Sequence, residues 1–416
     1  MTELYTRERY LEKIRPFYHD DDIVKVIVGV RRCGKSSIMQ MIADELQAQG
    51  IPQENLLFLN LDKRGFRHIK KADDLDVAIE RLTNGIDGLK YLFIDEVQNV
   101  TDFEEVINAW REEGDVSIFI TGSNSYLLSG ELATKLTGRY IEFEVFTLTF
   151  DEYEEMKSFY GKPVSNDLQA ELDTYLLEGG FPRAVRYDTL AEKRTYVESV
   201  IQEIFDKDVR RRAKIRNRSV FDRVQAYLFN NYGTPLSVKN IAEYFRNVEK
   251  TPIKEETLYR YIRVLEEAKI LYRCPRFDMK SKKSLAREEK LYLTDTSFYF
   301  ARNTDNRINY GPALENIVYL YARSRGWSAS VGRIGTLECD FIMRNQETDY
   351  AYIQVSYTIA ERSTEDREYR SLERIADGFP KWLLTCDRLL QKRSGIMHEN
   401  LAQFLALTSS FWLEQR

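Results

Sequence analysis

Apolar residues follow two rhythms along this chain. From Ile23 to Glu142, short apolar runs alternate with amphipathic stretches. IVKVIVGV (Ile23–Val30) is continuous and β-branched, which predicts a strand buried on both faces. SSIMQMIADELQAQ follows and puts Ile38, Ile42 and Leu46 on one helical face. LLFLNLD (Leu56–Asp62), YLFID (Tyr91–Asp95) and VSIFITG (Val116–Gly122) read as further strands, with FEEVINAWREE a helix between the last two. Strands alternating with helices predict a parallel sheet covered on both faces.

After Phe150 the rhythm becomes helical. DLQAELDTYLLEGGFPRAV (Asp167–Val185) predicts a helix stopped by Gly179-Gly180, with Pro182 close behind. Another helix is expected from about Glu192 to Asp206. Ser219–Phe300 reads as three helices and a hairpin, with LYRCPRFD and EKLYLTDTSFYF as strands around a basic loop, KSKKSLAREEK. That order is similar to a winged helix-turn-helix. From Asn303 a new α/β unit is expected: the helix GPALENIVYLYARSRG, the strands WSASVGR, ECDFIMR and YAYIQVSY, a helix from about Asp366 and the strand KWLLTCD.

Composition narrows the class. With 43% hydrophobic and 31% charged residues the chain is globular. A formal charge of -5 excludes a globally basic nucleic-acid binder but not a local basic patch. Two such patches exist, Lys207–Arg218 and Lys280–Lys290, both beside the helix-turn-helix candidate, where Tyr259, Arg260 and Arg263 could face a groove. Cys33, Cys274, Cys339 and Cys386 are scattered, as are His19, His68 and His398, so neither a disulfide framework nor a zinc site is expected. No apolar run approaches a membrane span and MTELYTRERY has no signal-peptide core, so the expectation is a reduced, cytoplasmic protein without membrane contact.

The chemistry concentrates at Gly29-Val30-Arg31-Arg32-Cys33-Gly34-Lys35-Ser36, which is GxxxxGK[ST], the P-loop. Its glycines let backbone N–H groups point at phosphate oxygens, and the helix N-terminus behind adds positive potential. Lys35 is expected on the β and γ phosphates of ATP, Ser36 on Mg²⁺, with Ser37 beside it. A second carboxylate for the metal is expected at a strand end, and Asp95 fits. Glu96 next to it can orient or deprotonate the attacking water. Ser123 and Asn124 end a third strand, where one could hold the water or the γ-phosphate. Arg139 precedes another strand-like run and can neutralise charge on a γ-phosphate in cis or in a neighbouring subunit.

Together these residues resemble AAA+ ATPases, and a prokaryotic group of them with a C-terminal domain of unknown function. The resemblance rests on GVRRCGKSS, LFIDEVQ, ITGSNSYLLSGELATKLTGR, LEGGFPRAV, ENIVY, ECDFI and YIQVSY. It implies that Asp95 and Glu96 are the Walker B pair, Ser123 or Asn124 sensor 1 and Arg139 the arginine finger. It also implies that Gly180-Phe181-Pro182 is a lid element placing Pro182 on the nucleotide base, with Arg183 as a second lid contact. The C-terminal unit resembles the PD-(D/E)XK nuclease fold. Glu315 and Asp340 fit its metal carboxylates, and Glu338 shares a strand face with Asp340. The next strand has Gln354-Val355-Ser356 where acid-x-Lys is required, and Lys381 is a distant substitute.

The fold class expected is thus α/β: a P-loop NTPase (AAA+-like) parallel-sheet core, a helical lid, a winged helix and a C-terminal PD-(D/E)XK-like α/β domain. The boundaries expected are 1–155, 156–206, 207–302 and 303–416, the last an inactive nuclease-like domain. The function expected is Mg²⁺-dependent ATP binding and hydrolysis by a homo-oligomeric ring associated with double-stranded DNA, the hydrolysis used for remodelling or assembly. A nucleotide-switched signalling or scaffold ATPase is the alternative, and an ATP-dependent nuclease a weaker one.

Overall fold

The computed structural model describes residues 3–123, 136, 138–210, 215, 217–281, 283–303, 307–345, 349–407 and 411, with 284–288 described by backbone alone. They divide into two units, Met1–Phe146 with Glu267–Lys269, and Thr147–Glu266 with Ile270–Arg416.

The first unit runs α1 (Glu8–Ile14), β1 (Val24–Val28), α2 (Lys35–Ala48), β2 (Leu56–Asn60), α3 (Ala72–Thr83), β3 (Lys90–Asp95), α4 (Phe103–Glu113), β4 (Val116–Gly122) and β5 (Tyr140–Glu144). Its strands pair in parallel in the order β2-β3-β4-β1-β5. Helices on both faces explain why β1 and β4 are buried at every position and carry unbroken apolar sequence. Val26, Leu59, Leu92, Ile107 and Ile118 share the core, each side chain contributing about 1.5–3 kcal/mol through burial. Register matters for chemistry. Val28 lies opposite Gly122, and Asn60 opposite Asp95. The C-terminal ends of β1, β2, β3 and β4 therefore gather at one edge.

The second unit continues with α5 (Phe150–Phe159), α6 (Leu168–Glu178), α7 (Leu190–Ile204), α8 (Arg218–Asn230), α9 (Val238–Asn247) and α10 (Glu255–Glu267). Next come β6 (Leu271–Asp278), β7 (Lys283–Leu293), α11 (Ser297–Arg302), α12 (Tyr310–Ser324), β8 (Ser328–Ile334), β9 (Leu337–Arg344) and β10 (Tyr350–Ser356). The last are α13 (Arg362–Glu373), β11 (Lys381–Thr385), β12 (Lys392–Arg393), β13 (Ile396–Asn400) and α14 (Leu401–Ala406). Capping is explicit in the sequence: Thr149 with Glu152 opens α5, and Thr189 with Glu192 opens α7.

One sheet of order β12-β13-β11-β10-β9-β8-β6-β7 runs through this unit. Arg276 opposite Val331 joins the β6/β7 hairpin to β8. Two expectations need correction. TSFYF is not strand but α11, because Asp295 accepts the Ser297 N–H (3.0 Å) just past β7 and turns the chain off the sheet. KSKKSLAREEK is not a loop: β7 begins at Lys283, and Lys290 is buried within it. Of the other basic patch, residues 211–214 and 216 lie outside the described residues.

Gly179 ends α6 with φ 75°, and a Cβ there would lie 1.9 Å from Asp295 Oδ1. The same carboxylate accepts the Gly180 N–H (2.8 Å), while Phe181 packs on Phe298. Pro182 beside them is half-buried and Arg183 exposed. The helix-stop reading of GGFP is what this geometry displays.

Candidate active site

The loop between β1 and α2 is shaped by close approach. At Gly29 a Cβ would stand 2.2 Å from the Val145 carbonyl oxygen, so glycine alone fits. Gly34 takes φ 110°, a conformation that favours glycine, and starts α2. Val30 accepts the Cys33 N–H (3.2 Å), which closes the turn. Arg7 braces the loop from the N-terminal segment, its Nη1 donating to the carbonyls of Cys33 (3.1 Å) and Phe146 (2.9 Å). Burial pushes the Cys33 thiol above its ordinary range, which suits packing and not nucleophilic chemistry. Arg32 is exposed at φ 72°.

Lys35 is buried and folds back over the loop, donating to the carbonyls of Gly29 (3.0 Å) and Val30 (3.2 Å). Ser36 Oγ donates to Asp95 Oδ2 at 2.7 Å, joining segments 59 residues apart. Asp95 is further held by Thr121 Oγ1 (2.6 Å) and Asn60 Nδ2 (2.7 Å). Glu96 follows in the left-handed region, φ 60° and ψ 48°, a strain of about 1–3 kcal/mol for a residue with a side chain. Its N–H is satisfied by Thr121 Oγ1 at 3.0 Å. The Glu96 carboxylate accepts from Arg31 Nη2 (3.3 Å) and Gln98 Nε2 (2.5 Å). Ser123, fully buried, accepts from the same two donors at 3.3 and 3.2 Å. Ser37 lies half-buried in the first turn of α2.

The structure thus brings Gly29, Val30, Arg31, Gly34, Lys35, Ser36, Asp95, Glu96 and Ser123 to one edge of the sheet. Asn124 lies outside the described residues. Arg139 is not there. Its carbonyl accepts the Val24 N–H beside the start of β1, and its guanidinium pairs with Glu112 at 2.8 Å on the surface. The loop leaves the other end of β1, roughly 16 Å away along a five-residue strand. Pro182 belongs to the second unit. Arg7, Asn60, Asp62, Gln98 and Thr121 had escaped sequence reasoning. Asn60, Asp62 and Thr121 gave a signal, as polar residues at the ends of apolar runs.

A second polar cluster fills the long sheet. Lys290 Nζ bonds Glu315 (2.9 Å) and Glu338 (3.0 Å), Tyr292 donates to Glu315 (2.8 Å), and Arg276 lies 3.6 Å from Glu338. Asp340 accepts the Val355 N–H (2.8 Å), and burial, then Glu315, raises its carboxyl well above the usual range. Glu315, Glu338 and Asp340 therefore come together, but around an ammonium. Gln354 is turned to Glu368 and Ser371, Ser356 to the Thr358 carbonyl and Lys381 to the Asp377 carbonyl. Among the described residues no group of three or more His, Cys, Asp or Glu is arranged to hold a metal ion.

An AAA domain model matches residues 21–154, and a domain of unknown function, DUF8612, matches 169–306. An uncharacterized protein of Haemophilus influenzae is 33% identical over 383 residues, covering 92% of this chain and 93% of that protein. The chain belongs to the same family. An uncharacterized protein of Methanocaldococcus jannaschii is 30% identical over 360 residues, covering 84% of this chain and 78% of its own. Family membership and the AAA domain agree with the parallel sheet and loop described above. Among solved structures, the Aeropyrum pernix ORC1 protein in complex with DNA gives a TM-score of 0.33 at 15% identity, covering 73% of this chain and 94% of that one. The Aeropyrum pernix ORC2 protein (ADPNP-ADP complexes) gives 0.37 at 10%, covering 77% and 94%. Scores of that size carry no conclusion about what this family binds. Among the described residues no helix is long and apolar enough to cross a membrane.

Proposed function

We propose that this protein binds and hydrolyses ATP. The observation that carries the reading is the Ser36–Asp95 contact beside Lys35, which sets a hydroxyl and a carboxylate together at the mouth of a glycine-shaped loop. Two such hard oxygens fit Mg²⁺, with remaining ligands left to phosphate and water. Mg²⁺, when bound, neutralises charge on the phosphates. The loop N–H groups and Lys35 bind the phosphates, Lys35 exchanging two carbonyls for phosphate oxygens. Glu96 takes a proton from water as the water oxygen attacks the γ-phosphorus. The bond to the bridging oxygen breaks and its electrons leave with ADP.

Arg139 stands at the far end of the sheet from its own loop and is half exposed. This supports action on a neighbour's nucleotide in a homo-oligomer. Association with duplex DNA is supported by exposed Tyr259, Arg260 and Arg263 on α10, although Lys290 no longer counts toward a basic surface. Cleavage of DNA is not proposed, because Lys290 lies among the carboxylates and the Gln354 amide is taken up by Glu368, Ser371 and the Asp340 N–H. The test is steady-state ATPase activity with and without duplex DNA over a salt series. DNA-stimulated, salt-sensitive turnover supports a DNA-associated ATPase. Turnover indifferent to DNA supports a nucleotide-switched assembly. No turnover and no ATP binding refutes the reading.

A further inference from the structure

Arg31 sits inside the loop, between Gly29 and Lys35, yet its guanidinium does not lie on the loop. It is buried at the sheet edge, with Nη2 3.3 Å from both Glu96 Oε2 and Ser123 Oγ, and Nη1 3.6 Å from Asp62 Oδ2. Asp62, Glu96 and Ser123 follow β2, β3 and β4 in turn. One side chain therefore spans the carboxyl ends of three strands, where α/β folds receive their ligands. If Lys35 and the loop N–H groups hold the phosphates, a γ-phosphate and its attacking water must come to this same place. The Glu96 carboxylate is meanwhile occupied by Arg31 and Gln98.

We propose that Arg31 is a positioning residue that reads the γ-phosphate: it restrains Glu96 when no γ-phosphate is present and passes to that phosphate when ATP enters, leaving Glu96 to the water. This deepens the ATPase reading and rests on it. A planar guanidinium suits the exchange, since phosphate takes two of its donors and carries more charge than the carboxylate it leaves. ADP lacks the phosphate and does not trigger the transfer. The arrangement places a cationic γ-phosphate group in the same chain as the loop, in addition to whatever Arg139 does.

The experiment compares wild type, Arg31→Ala and Arg31→Lys. It measures affinity for ADP and for a non-hydrolysable ATP analogue, thermal stability, and single-turnover hydrolysis with and without added guanidinium. In both variants ADP affinity should stay within about twofold of wild type. Preference for the ATP analogue over ADP should fall about tenfold, and single-turnover hydrolysis about 10²-fold or more. Guanidinium should restore part of the rate to Arg31→Ala. Hydrolysis near the wild-type rate in either folded variant overturns the proposal. So does a parallel loss of ADP affinity and stability in both, which would make Arg31 a brace of the loop. A wild type that binds no ATP would instead sink the ATPase reading itself.

Discussion

Lys290→Met removes an ammonium that pairs with both Glu315 and Glu338 in the long sheet. Lys290 is buried and contacts both carboxylates within 3.0 Å; against the cost of burial, Glu315 and then Asp340 and Glu338 raise its proton affinity. Methionine keeps the volume of the stem and removes only the charge. Breaking a buried ion pair from one side costs about 3–5 kcal/mol, because the remaining charge stays buried. At about 2–4 °C per kcal/mol for a domain of this size, the unfolding midpoint should drop by roughly 6–20 °C at pH 7.5. The sign with pH follows from Asp340. Burial, then Glu315, raises its carboxyl and Lys290 holds it down, so without Lys290 it rises further above its value in the unfolded chain and the folded state binds more protons in the window above the ordinary carboxylate range. The deficit should therefore shrink as pH falls toward about 5. Circular dichroism melts of both proteins across that range measure it. A midpoint change below about 2 °C at pH 7.5, or a deficit that does not shrink in acid, would refute the reasoning.

Other expectations follow from named groups. Glu154 is pushed up to about 7 by burial and then by Glu171 and Asp151, so its folded form holds a proton that the unfolded chain releases, and stability contributed below the ordinary carboxylate pKa is lost as pH rises toward 7. Glu154→Gln should flatten that slope in melts between pH 5 and 8. Lys35→Ala should abolish ATP binding by calorimetry, since the loop loses its phosphate cation. Arg139→Ala should bind ATP without turning it over, and mixing it with Glu96→Gln should restore some turnover; no rescue would mean that Arg139 acts in cis or not at all. Wild type with Mg²⁺ or Mn²⁺ should leave plasmid intact, as should Asp340→Ala; nicking by wild type alone would show that Lys290 does not disable the carboxylates.

The loop and the β3 acids could be read from sequence because their signals are local. A β-branched run ends at Gly29, a helix begins at Lys35, and Asp95-Glu96 ends an apolar run. The partners of those acids could not be read in the same way. Arg31 meets Glu96 across 65 residues, and Arg7 reaches the Cys33 and Phe146 carbonyls across 26 and 139, distances at which no periodicity speaks. TSFYF has the composition of a strand, but the Asp295 carboxylate that turns it into helix acts through a contact that composition does not show. Lys290 looked like part of a solvated basic loop because its neighbours are charged. Its burial depends on Glu315 and Glu338, which arrive from α12 and β9. β12 has only two residues, too few to display a pattern, and β13, IMHEN, carries just two apolar side chains.

If Lys35, Ser36, Asp95 and Glu96 form an ATP-hydrolysing site, ATP binding and single-turnover hydrolysis in Glu96→Gln beside wild type, with Mg²⁺ present, test it most directly. The variant should bind ATP as wild type does while hydrolysing it about 10²-fold or more slowly, since only activation of the water is lost. Hydrolysis by Glu96→Gln at the wild-type rate would contradict it.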